Sequence, residues 1–384
     1  MSPRLFIAQH KSLSLKNWLS LPVLTMCLTV VGLCLAPLPS DAAASTSSWS
    51  AHLVVRGDFG ELFSADGNLY AVRYAPHGPA ARGSQLVRID PRDGKILRVS
   101  RVVPGLSHPT FVDGSIWANG LTYYAKNAMS EGPATLVQIN PYSLAVRRTI
   151  VEKAVGFNSL VSGPHNELWA VASTLSGCVF QRIKPADGIR LWPSFILKTG
   201  PCGGFAIDAS NNHLYVAMST QGPLMNLYQV NAATGAVLGR GHLQNIANFV
   251  QLLGVGNHLW IAGGDPGGPG ILLYVNATSL QQIQGSSMLD QDIGDTDQRA
   301  FQLPNFGQFP SLSLTGGMLW IGSGSVTACF RPSDWHLVAS NAKSTTFVNV
   351  EGFSVVDGYN WALFQLNGNE VGGLGTVTSP TACG

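Results

Sequence analysis

The chain has 384 residues, with 23 Lys and Arg against 21 Asp and Glu, a net charge of +2 and only 11% charged residues. With so few charges and no Lys/Arg run, it carries no electrostatic footprint for nucleic acid. No segment sustains a 3.6-residue apolar period, so a helical architecture is excluded as well.

The first 44 residues read as an export signal. Arg4, Lys11 and Lys16 make a basic start, Asn17 to Ser40 carries no charge, and Leu21 to Leu38 is mostly apolar. Pro39 and Ala42-Ala43-Ala44 then offer small residues to a signal peptidase, with the cut near Ser45. The alternative is an uncleaved anchor, because the apolar stretch is almost long enough to span a bilayer. A lipoprotein at Cys34 is disfavoured by Leu33, where a small residue is wanted. Cleavage would remove three basic residues and Asp41, leaving 20 charges of each sign. The expected location is extracytoplasmic, or the cell surface if the segment is retained. Residues 45–50 (Ser-Thr-Ser-Ser-Trp-Ser) form a short linker, and residues 51–384 show no further boundary.

A phrase then recurs: a Gly/Asn/Asp turn, an apolar residue with Tyr or Trp, and a short strand. It occurs as Gly67-Asn68-Leu69-Tyr70, Gly114-Ser115-Ile116-Trp117, Asn166-Glu167-Leu168-Trp169 and Asn212-His213-Leu214-Tyr215. It returns as Asn257-His258-Leu259-Trp260, Gly317-Met318-Leu319-Trp320 and Gly358-Tyr359-Asn360-Trp361. The aromatic-to-aromatic steps are 47, 52, 46, 45, 60 and 41 residues, each room for four short strands. Such a period predicts an all-β, seven-bladed β-propeller with four-stranded antiparallel blades.

Within each repeat an inner strand leads, such as Thr110-Phe111-Val112, and the aromatic-led strand follows a tight turn. A third strand such as Leu86-Val87-Arg88-Ile89-Asp90 comes next. A turn such as Pro91-Arg92-Asp93-Gly94 leads from it to a polar outer strand. The last repeat is one strand short, and His52-Leu53-Val54-Val55-Arg56 lacks a blade of its own. That strand is therefore expected to complete the last blade and remove two open edges. Six blades with an irregular end is the alternative. The longest insert, Asp290 to Phe309, reads as a solvated loop. Its Asp290, Asp292, Asp295 and Asp297 lack the register and the terminal Glu of a calcium loop.

Cys27 and Cys34 leave with the signal, and Cys178, Cys202, Cys329 and Cys383 remain. In an exported chain four cysteines suggest two disulfides. Of three possible pairings, Cys178–Cys202 and Cys329–Cys383 join the same or adjacent blades, and the second would pin the C-terminal tail. The aromatics of the recurring phrase are expected to pack between blades, which leaves Trp192 and Trp335 as candidates for exposed contacts.

The stretches Leu69 to Leu97, Ile116 to Arg147 and Leu214 to Leu238 share one grammar. An apolar residue and Trp or Tyr open a strand, apolar-x-x-Ile/Val-Asp/Asn closes another, and Gly-x-Val/Ile follows a turn. This resembles secreted propellers of the streptogramin-lyase-like, NHL, YVTN and PQQ-like repeat group, over nearly the whole mature chain. The resemblance implies architecture rather than a reaction. Streptogramin-lyase-like relatives would imply a channel-facing His near a Glu with a divalent metal. Gluconolactonase-like propellers would imply Glu, Asn and Asp around one metal.

In a propeller the residues just before each inner strand line one mouth of the channel. Here these are Glu61, His108, Asn158, Gly203, Gln251, Ser311 and Glu351. Glu61, Asn158 and Glu351 form a candidate oxygen-rich metal set for Ca²⁺ or Mg²⁺, with His108 as candidate acid/base. Two functions follow. One is a non-catalytic binding scaffold that presents a protein, glycan or small-molecule ligand site on one face, monomeric and without nucleic acid. It would meet a membrane only through an uncleaved N-terminus. The other is a metal-assisted lyase or lactonase at the channel mouth. A redox quinoprotein is a distant third, with neither a stacking Trp floor nor a carboxylate-held calcium assignable.

Overall fold

A computed structural model describes residues 50–384, except 75–82, 122–132, 152–155, 175–176, 198–202, 211, 220–223, 245–247, 257, 265–269, 278–297, 303–310, 324–325, 334–335, 341–348, 366–371, 379–382 and 384. The expected export signal, Cys202, Trp335 and the Asp290–Asp297 run lie outside the described residues, as does the side chain of Trp192.

After β1 (Ser50–Arg56), the first sheet comprises β2 (Phe59–Ala65), β3 (Asn68–Tyr74), β4 (Ser84–Ile89) and β5 (Ile96–Val99). The second holds β6 (Ser107–Val112), β7 (Ser115–Leu121), β8 (Ala134–Ile139) and β9 (Val146–Val151). The third holds β10 (Gly156–Ser162), β11 (Leu168–Thr174), β12 (Gly177–Ile183) and β13 (Arg190–Leu197). The fourth holds β14 (Gly203–Ser210), β15 (His213–Ser219), β16 (Leu224–Asn231) and β17 (Val237–Gln244). The fifth holds β18 (Asn248–Val255), β19 (His258–Gly264), β20 (Gly270–Asn276) and β21 (Gln298–Gln302). The sixth holds β22 (Ser311–Thr315), β23 (Met318–Ser323), β24 (Val326–Arg331) and β25 (His336–Ser340). Finally, β26 (Asn349–Val356), β27 (Tyr359–Gln365) and β28 (Gly373–Thr378) take β1 as their outermost strand. Every sheet is antiparallel and four-stranded.

In three sheets the turn explains why the first two strands pair so tightly. Asp66-Gly67, Asp113-Gly114 and Asp357-Gly358 place both central residues at positive φ, between 49° and 80°. That conformation matches the twist of a two-residue hairpin, and Asp-Gly adopts it at little cost. The turn between the third and fourth strands uses another device. Asp90, Asn140 and Asn231 each accept, through a side-chain oxygen, the backbone N–H two residues on at 2.9 Å. The fifth residue of each turn then swings to positive φ: Gly94, Leu144, Gly188 and Gly235. Leu144 bears that strain because its side chain fills the core between the first two sheets.

The core lies between neighbouring sheets. One cluster joins Tyr70, Val72 and Leu86 of the first sheet to Ile116, Val137 and Ile139 of the second. Similar clusters join the second and third, third and fourth, fifth and sixth, and sixth and seventh sheets. Another joins Trp361, Leu363 and Leu374 back to Leu69, Val87 and Ile89. Between the fourth and fifth sheets the Asp208 carboxylate accepts the Gly254 N–H.

The repeated aromatics are the pegs of these interfaces, as expected. Trp117, Trp169, Trp260, Trp320 and Trp361 are all buried. The Trp361 indole Nε1–H donates to the Pro91 carbonyl at 2.9 Å, and the Tyr70 hydroxyl to that of Pro141 at 3.2 Å. These two pegs thus reach the turn of the next sheet. At the second sheet Gln138 makes the reach instead, through Nε2 to the Pro185 carbonyl at 3.2 Å. Burial of the Tyr70 hydroxyl pushes its pKa up to about 12.

Cys329 and Cys383 are disulfide-bonded with Cα atoms 6.1 Å apart, within the cluster that includes Trp320, Phe353 and Phe364. One expectation is corrected. The insert from Asp290 to Phe309 is not a loop throughout, since Gln298–Gln302 is the outermost strand of the fifth sheet, paired to β20. Sequence patterning missed it because a polar edge strand needs only a partner ladder, not a buried face.

Candidate functional site at the opening of the inner strands

Six of the seven inner strands lose register with their neighbour near their first residues. The breaks fall between Phe59 and Leu62, Ser107 and Thr110, Phe157 and Ser159, Gly203 and Phe205, Asn248 and Gln251, and Val350 and Gly352. Such bulges re-aim the residues they contain. Glu61, His108, Asn158 and Glu351 each lie inside one. In the second sheet the cause is legible. Pro109 has no N–H to give the ladder, so the strand cannot pair evenly there.

Glu61 and His108 are brought into direct contact. The Glu61 Oε1 accepts the backbone N–H of His108 at 2.9 Å, joining the first and second sheets. His108 holds a φ of +49°, outside the range a β-strand residue normally uses. Its ring is exposed, and its Nδ1 lies 3.3 Å from Nδ2 of Asn119, which is 3% exposed. The backbones of Asn158 and Glu351 sit in the corresponding bulges of β10 and β26, and their side chains lie outside the described residues. Gly203 opens β14.

Gln251 and Ser311 do a job related to that of Glu61. Gln251 Oε1 accepts the Leu312 N–H, and Ser311 Oγ accepts the Phe353 N–H at 3.0 Å. Each side chain reaches forward to the inner strand of the next sheet. Glu61, Gln251 and Ser311 are therefore inter-sheet latches near the opening of the inner strands. Sequence reasoning named these positions but assigned them only to the channel, because a side-chain-to-backbone latch leaves no spacing signature.

Asn119 was missed. It stands two residues after Trp117, where the other repeats carry Val72, Val171, Ala217, Ala262, Gly322 and Leu363. A single polar residue in an otherwise apolar or Gly column was the available signal. Among the described residues no group of three His, Cys, Asp or Glu side chains is placed to hold a metal ion.

The opposite ends of the inner strands carry a second polar group. The Tyr142 hydroxyl donates to Asp66, and the Arg88 guanidinium lies 6.0 Å from the Tyr142 ring centroid. The hydrogen bond to Asp66 raises the Tyr142 pKa. In the third sheet the buried Glu167 accepts from Arg182 Nε at 3.0 Å. These contacts staple turns and strands together.

No family model matches the chain, and no curated protein matches it either. The solved structures do match. The WD40 domain of Toxoplasma gondii coronin aligns with a TM-score of 0.57 at 12% identity, over 87% of this chain and 86% of that one. The β-propeller domain of Myceliophteria thermophila Cps50 (Swd1) aligns with a TM-score of 0.58 at 11% identity, over 87% of this chain and all of that one. The chain folds as a β-propeller. At these identities the likeness shows architecture alone. The four-stranded antiparallel sheets are of the kind that form propeller blades.

Proposed function

We propose that this propeller is an exported, seven-bladed binding scaffold whose ligand site is the bulged mouth around Glu61 and His108. Seven four-stranded sheets, with β1 completing the last of them, support a ring closed by its own N-terminal strand. The observation that carries the site is the mutual fixing of Glu61 and His108. One carboxylate oxygen holds the histidine backbone while Asn119 meets its ring, so a strained, exposed side chain is presented in one pose. A preorganised polar pair on a rigid frame loses little entropy when a ligand arrives.

A second reading is favoured by one observation, the placement of Glu61, His108, Asn158 and Glu351 in bulges of neighbouring blades. Under it Glu61, Asn158 and Glu351 would hold Ca²⁺ or Mg²⁺. The ion would polarise a carbonyl, and His108 would transfer the proton.

Thermal melting separates the two. The scaffold predicts that Ca²⁺ and Mg²⁺ leave Tm unchanged in both the wild-type protein and Glu61→Ala. A divalent-ion gain in Tm that Glu61→Ala abolishes would overturn the scaffold in favour of the lyase or lactonase.

A further inference from the structure

The buried asparagine beside His108 has no counterpart in the other repeats, and its chemistry decides what the mouth can recognise. Asn119 lies on β7 in a column filled elsewhere by Val, Ala, Leu or Gly. A buried amide in an apolar column costs stability unless its hydrogen bonds are made. Its Nδ2 is a donor only, and it lies 3.3 Å from His108 Nδ1. With the amide so oriented, Nδ1 must accept, and the neutral ring carries its proton on Nε2. Nε2 has no partner among the described residues, and neither has Glu61 Oε2.

We infer that Asn119 is a positioning residue that holds His108 as the Nε2–H tautomer, so that the mouth pairs a donor (His108 Nε2–H) with an acceptor (Glu61 Oε2) for a neutral, hydroxyl-rich ligand of the carbohydrate class. The inference rests on the scaffold reading above and adds its ligand chemistry. A sugar hydroxyl both donates and accepts, so neighbouring hydroxyls satisfy the two groups together. A carboxylate ligand could take the Nε2–H but would meet the Glu61 charge. A bare cation would meet Glu61 but not a protonated Nε2. Three features of the structure point to this pose and not to an incidental surface histidine. They are the positive φ of His108, the latch on its backbone N–H, and the single polar residue of the column placed against its ring.

The test uses the full chain labelled with ¹⁵N-histidine, with the His108 signals assigned by their loss in His108→Gln. Two-bond ¹H–¹⁵N spectra at alkaline pH, where the rings are neutral, should show His108 as the Nε2–H tautomer. Asn119→Val, which installs a residue type of the other repeats, should leave the protein folded and release His108 to a tautomer mixture. Asn119→Asp, an acceptor in place of a donor, should move the proton to Nδ1. A wild-type His108 with its proton on Nδ1, or a ratio indifferent to both substitutions, overturns the positioning role.

Ligand chemistry is read separately, with methyl α-glucoside, methyl α-mannoside and N-acetylglucosamine as neutral probes and acetate as the charged one. At least one sugar should perturb the His108 Nε2 signal at millimolar concentration, and acetate should not. Asn119→Val should weaken the sugar about fivefold, the worth of one neutral hydrogen bond. If acetate binds and the sugars do not, the ligand class is wrong while the scaffold stands. If neither sugars nor acetate perturb His108, both the ligand class and the placing of the site at this mouth fall.

Discussion

Breaking the Cys329–Cys383 bond tests how the ring is held at its C-terminus. The two cysteines are 54 residues apart and close a loop that contains the inner and aromatic strands of the last blade. In the chain-entropy account, a cross-link over a loop of this length removes about 4 kcal/mol of freedom from the unfolded chain. For a domain of this size that corresponds to a Tm loss of roughly 6 °C. Both sulfurs are buried against Trp320, Phe353 and Phe364, so Cys→Ala changes would also disturb packing. The assay therefore compares the oxidised wild-type protein with the same protein unfolded, reduced, and refolded under reductant, which keeps the sulfurs in place. Thiol counting confirms the redox state, and differential scanning calorimetry follows the melt. The Cys329→Ala/Cys383→Ala double variant should melt lower still. Reduced and oxidised proteins that melt together would refute the reasoning, since the tail would then be held by its ladder to β1 and by the core alone.

At the seam between last and first blades, Trp361→Ala should cost about 3–5 kcal/mol from the cavity, while Trp361→Phe should cost less and leave the Pro91 carbonyl without its donor; urea midpoints check both. Gly94→Ala should destabilise by roughly 1–3 kcal/mol, because its φ of +74° strains an L residue and the new Cβ would fall 2.9 Å from the Trp361 ring and against Val54. Equal stability of that variant would show that the seam is looser than described. Arg182→Met should cost about 3–5 kcal/mol by stranding the buried Glu167 carboxylate, and Glu167→Gln in the same background should recover most of it. Stability should fall as pH rises above the ordinary tyrosine pKa near 10 and on through about 12. The folded state keeps the Tyr70 proton that the unfolded chain releases, and Tyr70→Phe should flatten that decline in alkaline urea melts.

The site was half legible in advance. Glu61 and His108 were nameable because the repeating pattern places them just before inner strands, although they lie within β2 and β6, and their contact was not, because it joins residues 47 apart through a backbone N–H. Gln251 and Ser311 bore no mark of their latching role, since glutamine and serine occur in any polar loop. Asn119 could have been found by aligning the repeats column by column. The strand at Gln298–Gln302 could not, because its pairing to β20 leaves no alternation that differs from a polar loop.

By itself the order of residues determined the all-β architecture. Turn chemistry such as Asp-Gly and the buried Tyr or Trp of each repeat act locally, within one hairpin or against one neighbour, so their signature survives in a linear pattern. Tertiary packing alone decided which polar groups meet. The bulges turn side chains across a boundary between two blades, and a hydrogen bond there depends on the angle between sheets that share no sequence neighbours.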